Sequence, residues 1–376
     1  MSDFIVSARK YRPDTFSSVV GQSSITDTLI KSISDHKLAH AYLFCGPRGV
    51  GKTTCARIFA KTINCTNIQN GEACNECESC QSFNKGISMN IHEMDAASNN
   101  SVEDIRQLID QVRILPQMGQ YSVYIIDEIH MLSAAAFNAF LKTLEEPPAH
   151  AIFIMATTEK HKILPTILSR CQIFDFNRIQ VSDISKYLTY VAKNEEIQYE
   201  DEALNIIANK ADGGMRDALS IFDQISSFSG GHISYQNVIE NLNVLDYEYF
   251  FKLSTALFNN QLSDSFLTLE EILNQGFDGA QILNGLSKHF RDILVSSDTQ
   301  TLELLEVSNS IKEKYQTEST IIDKAYIYDA LDIINQSELS YKTSQNKRLH
   351  IELCFIKLSN IKAEHEKFEL LKKKLS

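Results

Sequence analysis

Gly46-Pro-Arg-Gly-Val-Gly-Lys-Thr53 is the first stretch whose residue types and spacing could do chemistry. Its pattern, G-x-x-x-x-G-K-T, lets backbone N–H groups converge on phosphate oxygens. It follows the apolar run 41–45 and opens a helical pattern, so a helix N-terminus adds partial positive charge. Gly46, Pro47, Arg48, Gly49, Val50 and Gly51 would form the cradle. Lys52 would reach the β- and γ-phosphates, with Thr53 on Mg²⁺ and Thr54 beside it. A second apolar run, Val123-Tyr-Ile-Ile-Asp-Glu128, delivers two carboxylates to its C-terminal end. Asp127 would complete the Mg²⁺ shell, and Glu128 would orient or deprotonate an attacking water. Two carboxylates also suit a plain helix N-terminus. With the phosphate loop upstream, the pair reads as a P-loop ATPase that uses ATP and Mg²⁺.

A second constellation is Cys65, Cys74, Cys77 and Cys80, spaced C-x8-C-x2-C-x2-C. Four thiolates this close suit a closed, tetrahedral and therefore structural Zn²⁺ site. An iron–sulfur cluster fits less well, because its C-x2-C-x2-C-x3-C-P run is missing. The other four cysteines, Cys45, Cys55, Cys171 and Cys354, have no such spacing and read as small packed residues.

The elements that must position these groups are legible as short apolar runs at 41–45, 91–94, 123–126, 151–156 and 173–176. Helical patterns separate most of them. That favours βαβ units and a five-stranded parallel sheet covered on both faces. All six prolines lie at or before Pro165, and behind residue 178 the period turns helical. Ala203, Leu204, Ile207, Ala208 and Ala211 form one stripe, stopped by Gly213-Gly214; Ala218, Leu219, Phe222 and Ile225 form the next, stopped by Gly230-Gly231. The expected domains are an ATPase core at 1–178 with a zinc insert at about 64–82, then helices at 179–243 and 244–376. Only Lys372-Lys373-Lys374 resembles a charged tail.

Composition bounds the partners. The 376 residues are 43% apolar, enough for several cores, and carry a net charge of −12. That charge argues against wrapping nucleic acid with a globally basic surface. It is uneven: residues 1–60 hold eight Lys/Arg against four Asp, whereas 61–110 hold three against eight acids. An anion site belongs in the opening segment. No apolar run suggests a membrane span or a signal peptide, so no membrane is expected.

Taken together, the motifs resemble the gamma/tau family of bacterial DNA polymerase III clamp-loader subunits, which are AAA+ ATPases. The resemblance runs from Ala8-Arg-Lys-Tyr-Arg-Pro13 to about residue 360. It includes Val19-Val-Gly-Gln22, His40-Ala-Tyr-Leu-Phe44, the phosphate loop, the four-Cys insert and Asp95-Ala-Ala-Ser98. It continues through Asp127-Glu-Ile-His130, Leu144-Glu-Glu-Pro-Pro148, Ala156-Thr-Thr158, Leu168-Ser-Arg-Cys171 and Gly214-Met-Arg-Asp-Ala-Leu219. The resemblance implies that Ala8, Arg12 and Val20 line the adenine and ribose side of the pocket. It implies sensor roles for Thr158 and Arg216, and an arginine finger at Arg170 serving a neighbouring subunit's ATP. It makes 1–178 a RecA-like core, 179–243 a lid and 244–376 an all-α collar. The longer family form adds C-terminal segments, so at this length the chain reads as gamma-like.

The implied partners are delta-type and delta-prime-type subunits, further gamma/tau copies in a hetero-oligomeric ring, a sliding clamp and primed DNA. The implied setting is the cytoplasm, at the nucleoid. Where some relatives carry basic residues, this chain has Asn99, Asn100 and Ser101. Neutral donors at the start of a helix at 101–109 would still hold phosphate through backbone N–H groups, with Lys142 and Lys162 as supplements. A helicase would need a second RecA-like half, which the helical back does not offer. A branch-migration motor would not need the zinc insert, and a non-hydrolysing scaffold would not need Lys52, Asp127 and Glu128 intact.

Overall fold

Strand β1 (Ala41–Cys45) is buried at every residue, and its side chains alternate between two cores. Tyr42 and Phe44 face one side with Phe59, while Ala41, Leu43 and Cys45 face the other with Phe137 and Phe153. Burial on both faces explains why such strands read as unbroken apolar runs. The computed structural model describes residues 5–116, 119–305 and 307–375. With β2 (Ile91–Asp95), β3 (Ser122–Asp127), β4 (Ala151–Thr157) and β5 (Gln172–Asp175), β1 forms a five-stranded, all-parallel sheet in the order β2-β3-β4-β1-β5. Register pairs Cys45 with Thr157 and Asp95 with Asp127. The carboxyl ends of β1, β3 and β4 therefore lie side by side, at the edge where parallel α/β sheets place ligands.

Helices cover both faces. Lys52–Ile63 packs against the Tyr42 side, with Tyr42 and Phe59 ring centroids 4.9 Å apart. Ala134–Glu145 packs against the other side, where Phe140 meets Phe153 edge to face. Contacts divide the chain into two compact units: Met1–Ile197 with Ile207–Phe228, and Gln198–Ile206 with Ser229–Ser376.

The second unit is a helical assembly. Its helices include Tyr247–Phe258, Leu262–Asn274, Gly279–Ser296, Asn309–Ile321, Lys324–Tyr341 and Lys347–Leu375. The last of these takes in residues 372–374, where the sequence suggested a charged tail. Their apolar faces meet in one core that includes Leu257, Leu286, Phe290, Ile334 and Phe355. A polar chain runs inside it: His289 bonds Tyr315 Oη at 3.1 Å and Ser254 Oγ at 3.0 Å, and Ser254 donates to Glu318 at 3.2 Å. The region behind residue 178 is nearly all helical, as its periodicity suggested. A small parallel pair, β6 (Gln198–Tyr199) and β7 (His232–Ile233), sits in this unit. Two-residue strands are too short to leave an alternating pattern. No helix among the described residues is long and apolar enough to cross a membrane.

Candidate active site and metal centre

The phosphate loop leaves β1 and turns into the helix Lys52–Ile63 through Gly51, whose φ of 102° suits glycine. The helix has no acidic residue in its first turn and no side-chain cap, so its first N–H groups stay open to an anion. Lys52, only 6% exposed, donates from Nζ to the carbonyls of Gly46 and Pro47, both at 2.7 Å. Burial lowers its pKa, against the pull of Glu128 and Asp127. Thr53 Oγ1 donates to Asp127 Oδ2 at 2.7 Å, joining the loop after β1 to the end of β3.

Glu128 follows β3 with a left-handed φ of 47°, a conformation that costs a non-glycine residue about 1 kcal/mol. Its Oε2 accepts from Thr158 N at 3.2 Å and Thr158 Oγ1 at 3.0 Å, and lies 3.3 Å from His130 Nδ1. The same His130 nitrogen is 3.0 Å from Thr157 Oγ1. The ends of β3 and β4 thus hold the carboxylate from three sides.

These groups open into a cavity of about 720 Å³. Ala8, Arg12, Val20, Arg48, Gly49, Val50, Gly51, Lys52, Thr53, Thr54, Asp127, Glu128 and Arg216 all line it. Gly46, Pro47, Thr158 and Arg170 do not. The first two back the cradle through the Lys52 bonds, and Thr158 acts on Glu128. Arg170 is bound elsewhere, donating to Glu145 at 2.7 Å, Thr166 O at 2.7 Å and Ser169 Oγ at 3.2 Å. Arg216 N donates to Gly49 O at 3.4 Å, so the helix Met215–Ser229 abuts the loop. Burial lowers the Arg12 pKa, and the neighbouring Arg57 and Arg216 add to it against Glu93 and Asp127. Guanidiniums crowded with a lysine make a site that an anion would relieve.

The sequence reading missed the apolar wall, which includes Val6, Tyr11, Val19, Tyr187, Met215 and Leu219. Met215 and Leu219 flank Arg216 at helical spacing, a signal that could have been used. Tyr11 was visible only as a member of the Ala8–Pro13 motif, and Tyr187 carried no signal. Tyr187 Oη donates to Tyr11 O at 3.0 Å, while Lys10 and the Tyr11 hydroxyl both bond Glu195. Ser7 N donates to Asp223 at 2.7 Å, so the short helix Ser7–Lys10 is tied at both ends.

Of the phosphate contacts expected at 99–101, Asn99 and Ser101 have local partners. Ser101 caps the helix Val102–Val112 in a capping box with Asp104, which takes the Ser101 N–H at 3.1 Å and its hydroxyl at 2.6 Å. Glu103 and Asp104 add two carboxylates in the first turn, which repel phosphate. Asn99 donates to Asp95 O at 3.0 Å. Lys162 pairs with Glu159, and Lys142 is exposed.

The four insert cysteines converge, with all Sγ atoms within 4.8 Å of one another. Cys65 and Cys74 sulfurs are 3.5 Å apart, and Cys65 and Cys77 sulfurs 4.0 Å. Zn–S bonds of about 2.3 Å in a tetrahedron put sulfurs about 3.8 Å apart, so this donor set fits zinc. Burial pushes the Cys77 thiol up, but hydrogen bonds from Thr66 and Cys80 outweigh it and bring the pKa down to about 6. Burial raises the Cys65 and Cys80 thiols, so the hydrogen bonding favours a thiolate at Cys77 ahead of its neighbours.

A family profile described as DNA polymerase III, delta subunit, matches residues 21–180. Another, the DNA polymerase III clamp loader subunit ATPase lid domain, matches 183–231. The chain is 44% identical to the DNA polymerase III subunit tau of Bacillus subtilis, over 93% of this chain and 62% of that protein. It is 33% identical to the DNA polymerase III subunit gamma of Buchnera aphidicola subsp. Baizongia pistaciae, over 96% of this chain and 98% of that protein. Among solved structures, the Thermotoga maritima RuvB Holliday junction branch migration motor aligns at 21% identity and a TM-score of 0.48. That alignment covers 66% of this chain and 79% of that one. Fold and site define a P-loop ATPase of the AAA+ class with an ATPase lid. The chain spans 62% of the tau relative but nearly the whole of the gamma relative. It belongs to the gamma/tau family of DNA polymerase III clamp-loader subunits.

Proposed function

We propose that the chain is the ATP-hydrolysing motor subunit of a bacterial clamp loader. It opens a sliding clamp and places it on primed DNA for the DNA polymerase III holoenzyme. The observation that carries this is the Thr53–Asp127 bond, which brings phosphate loop and strand-end carboxylate together in one cavity with Lys52 and Glu128. Family membership supplies the rest. Lys52 and the loop N–H groups hold phosphate oxygens, and Glu128 takes a proton from the attacking water. Thr53 and Asp127 hold Mg²⁺, which neutralises charge on the phosphates when bound. Thr158 positions Glu128, and Arg216 brings the lid onto the nucleotide. Ala8, Arg12 and Val20 form the base side. Arg170 reaches a neighbouring subunit's ATP; its absence from this chain's own cavity supports that assignment.

Residues 1–178, 179–243 and 244–376 act as core, lid and collar. Cys65, Cys74, Cys77 and Cys80 hold a structural zinc. The partners are delta-type and delta-prime-type subunits, further copies of this chain, the clamp and primed DNA, in the cytoplasm at the nucleoid. The test is Lys52→Ala in the reconstituted loader: ATP binding and DNA-stimulated turnover should both be lost. Unchanged turnover overturns the motor reading in favour of a scaffold subunit.

A further inference from the structure

Between Cys65 and Cys74 the insert makes a tight hairpin, in which Gln69 and Glu72 exchange backbone hydrogen bonds around Asn70-Gly71. Asn70 and Gly71 both have positive φ (51° and 79°), as a two-residue hairpin turn requires. Gly71 also lets the turn press on the helix Ser23–Ser34, because a Cβ there would lie 2.4 Å from Ile30 Cγ2. Glu72, at the base of this turn, bonds to residues outside the insert. Its two carboxylate oxygens accept the backbone N–H groups of Phe16 at 2.9 Å and Ser17 at 2.8 Å. A second tie runs through Lys61, 3% exposed on the helix that the phosphate loop opens. Its Nζ donates to Asp14 O at 2.9 Å and to Asn75 Oδ1, inside the insert, at 2.7 Å.

Residues 14–18 are therefore held by the insert on one side and by the loop helix on the other. Immediately before them Arg12 and Pro13 line the cavity, and immediately after them so do Val19 and Val20. We propose that Glu72 and Lys61 are positioning residues through which the cysteine cluster braces the 12–20 wall of the nucleotide cavity. The insert is then a determinant of nucleotide affinity rather than a detached appendage. This rests on the nucleotide reading of the cavity given above.

The test uses the full chain, a fluorescent ATP analogue with Mg²⁺, and zinc content and melting temperature as controls. Glu72→Ala should bind the analogue about tenfold more weakly, since two hydrogen bonds to a charged acceptor are lost. Its zinc content should match the wild type, and its melting temperature should fall by only a few degrees. Glu72→Gln keeps one acceptor oxygen and should recover about half of that loss in free energy. Chelator-stripped protein with Glu72 intact should show the same weakening, reversed by added zinc. If wild type binds and Lys52→Ala does not, the nucleotide reading stands. In that case wild-type affinity in both Glu72→Ala and the stripped protein overturns the brace. Failure of the wild type to bind overturns the nucleotide reading itself.

Discussion

Replacing Glu128 with Gln separates chemistry from structure at one position. The substitution removes the charge but leaves an oxygen for the two Thr158 donors. Hydrogen bonds to a charged group contribute about 1.5–3 kcal/mol each and neutral ones about 0.5–1.5. The Glu128 side chain is 30% exposed, and water screens the difference, so the expected loss of stability is only about 1 kcal/mol. For a unit of this size that is a fall of about 2–4 °C in Tm. Loss of the base should instead slow hydrolysis by about 10²–10⁴. Nucleotide affinity should hold, because Lys52, Thr53 and Asp127 are untouched. Single-turnover hydrolysis in the assembled loader with primed DNA reads the rate. Analogue binding and scanning calorimetry read the other two quantities. Turnover at the wild-type level would refute the role of Glu128 as base. An equal collapse of affinity and turnover would show that the carboxylate holds the site together instead.

Other outcomes follow from the same geometry. Arg170→Ala should leave nucleotide affinity intact and cut turnover in the assembled loader by about 10³ or more; unchanged turnover there rejects a finger acting in trans. Elemental analysis should find about one zinc per chain, lost in Cys74→Ser, and iron with visible absorbance would reverse the metal assignment. Burial pushes the His289 pKa from its ordinary 6.5 down to about 3. The folded chain keeps the ring neutral while the unfolded chain protonates it, so its contribution is complete above pH 6.5 and declines as pH falls towards 3. Between pH 6.5 and 5.5 urea unfolding should lose about 1 kcal/mol from this group. His289→Gln should lack that component, and an identical pH slope in both proteins would count against it.

The sequence exposed whatever repeats or clusters locally. The buried strands showed as apolar runs, the phosphate loop as a spaced motif, and the cysteines as a bunch. What it hid were pairings made by the third dimension. Thr158 meets Glu128 because β4 pairs beside β3, and neither residue's neighbours predict the bond. Lys10 and Tyr11 find Glu195 across most of the core unit, with no periodic signal to mark it. Ser101 is the reverse case: its partner Asp104 stands three residues away in a capping-box pattern that was there to be read. Reading the segment for phosphate donors obscured the simpler local chemistry.

The Lys52 ammonium, held by the carbonyls of Gly46 and Pro47, has one more consequence. An incoming anion does not meet a bare cation. Two of the ammonium's three donors are held by the loop's own backbone, so one is free for a first phosphate oxygen and any further contact exchanges a carbonyl for the anion. Neutral carbonyls are weak competitors for a polyphosphate with several negative oxygens. Phosphate binding and release at the loop are therefore a hand-over of the ammonium between backbone and ligand, with the lysine satisfied in both states.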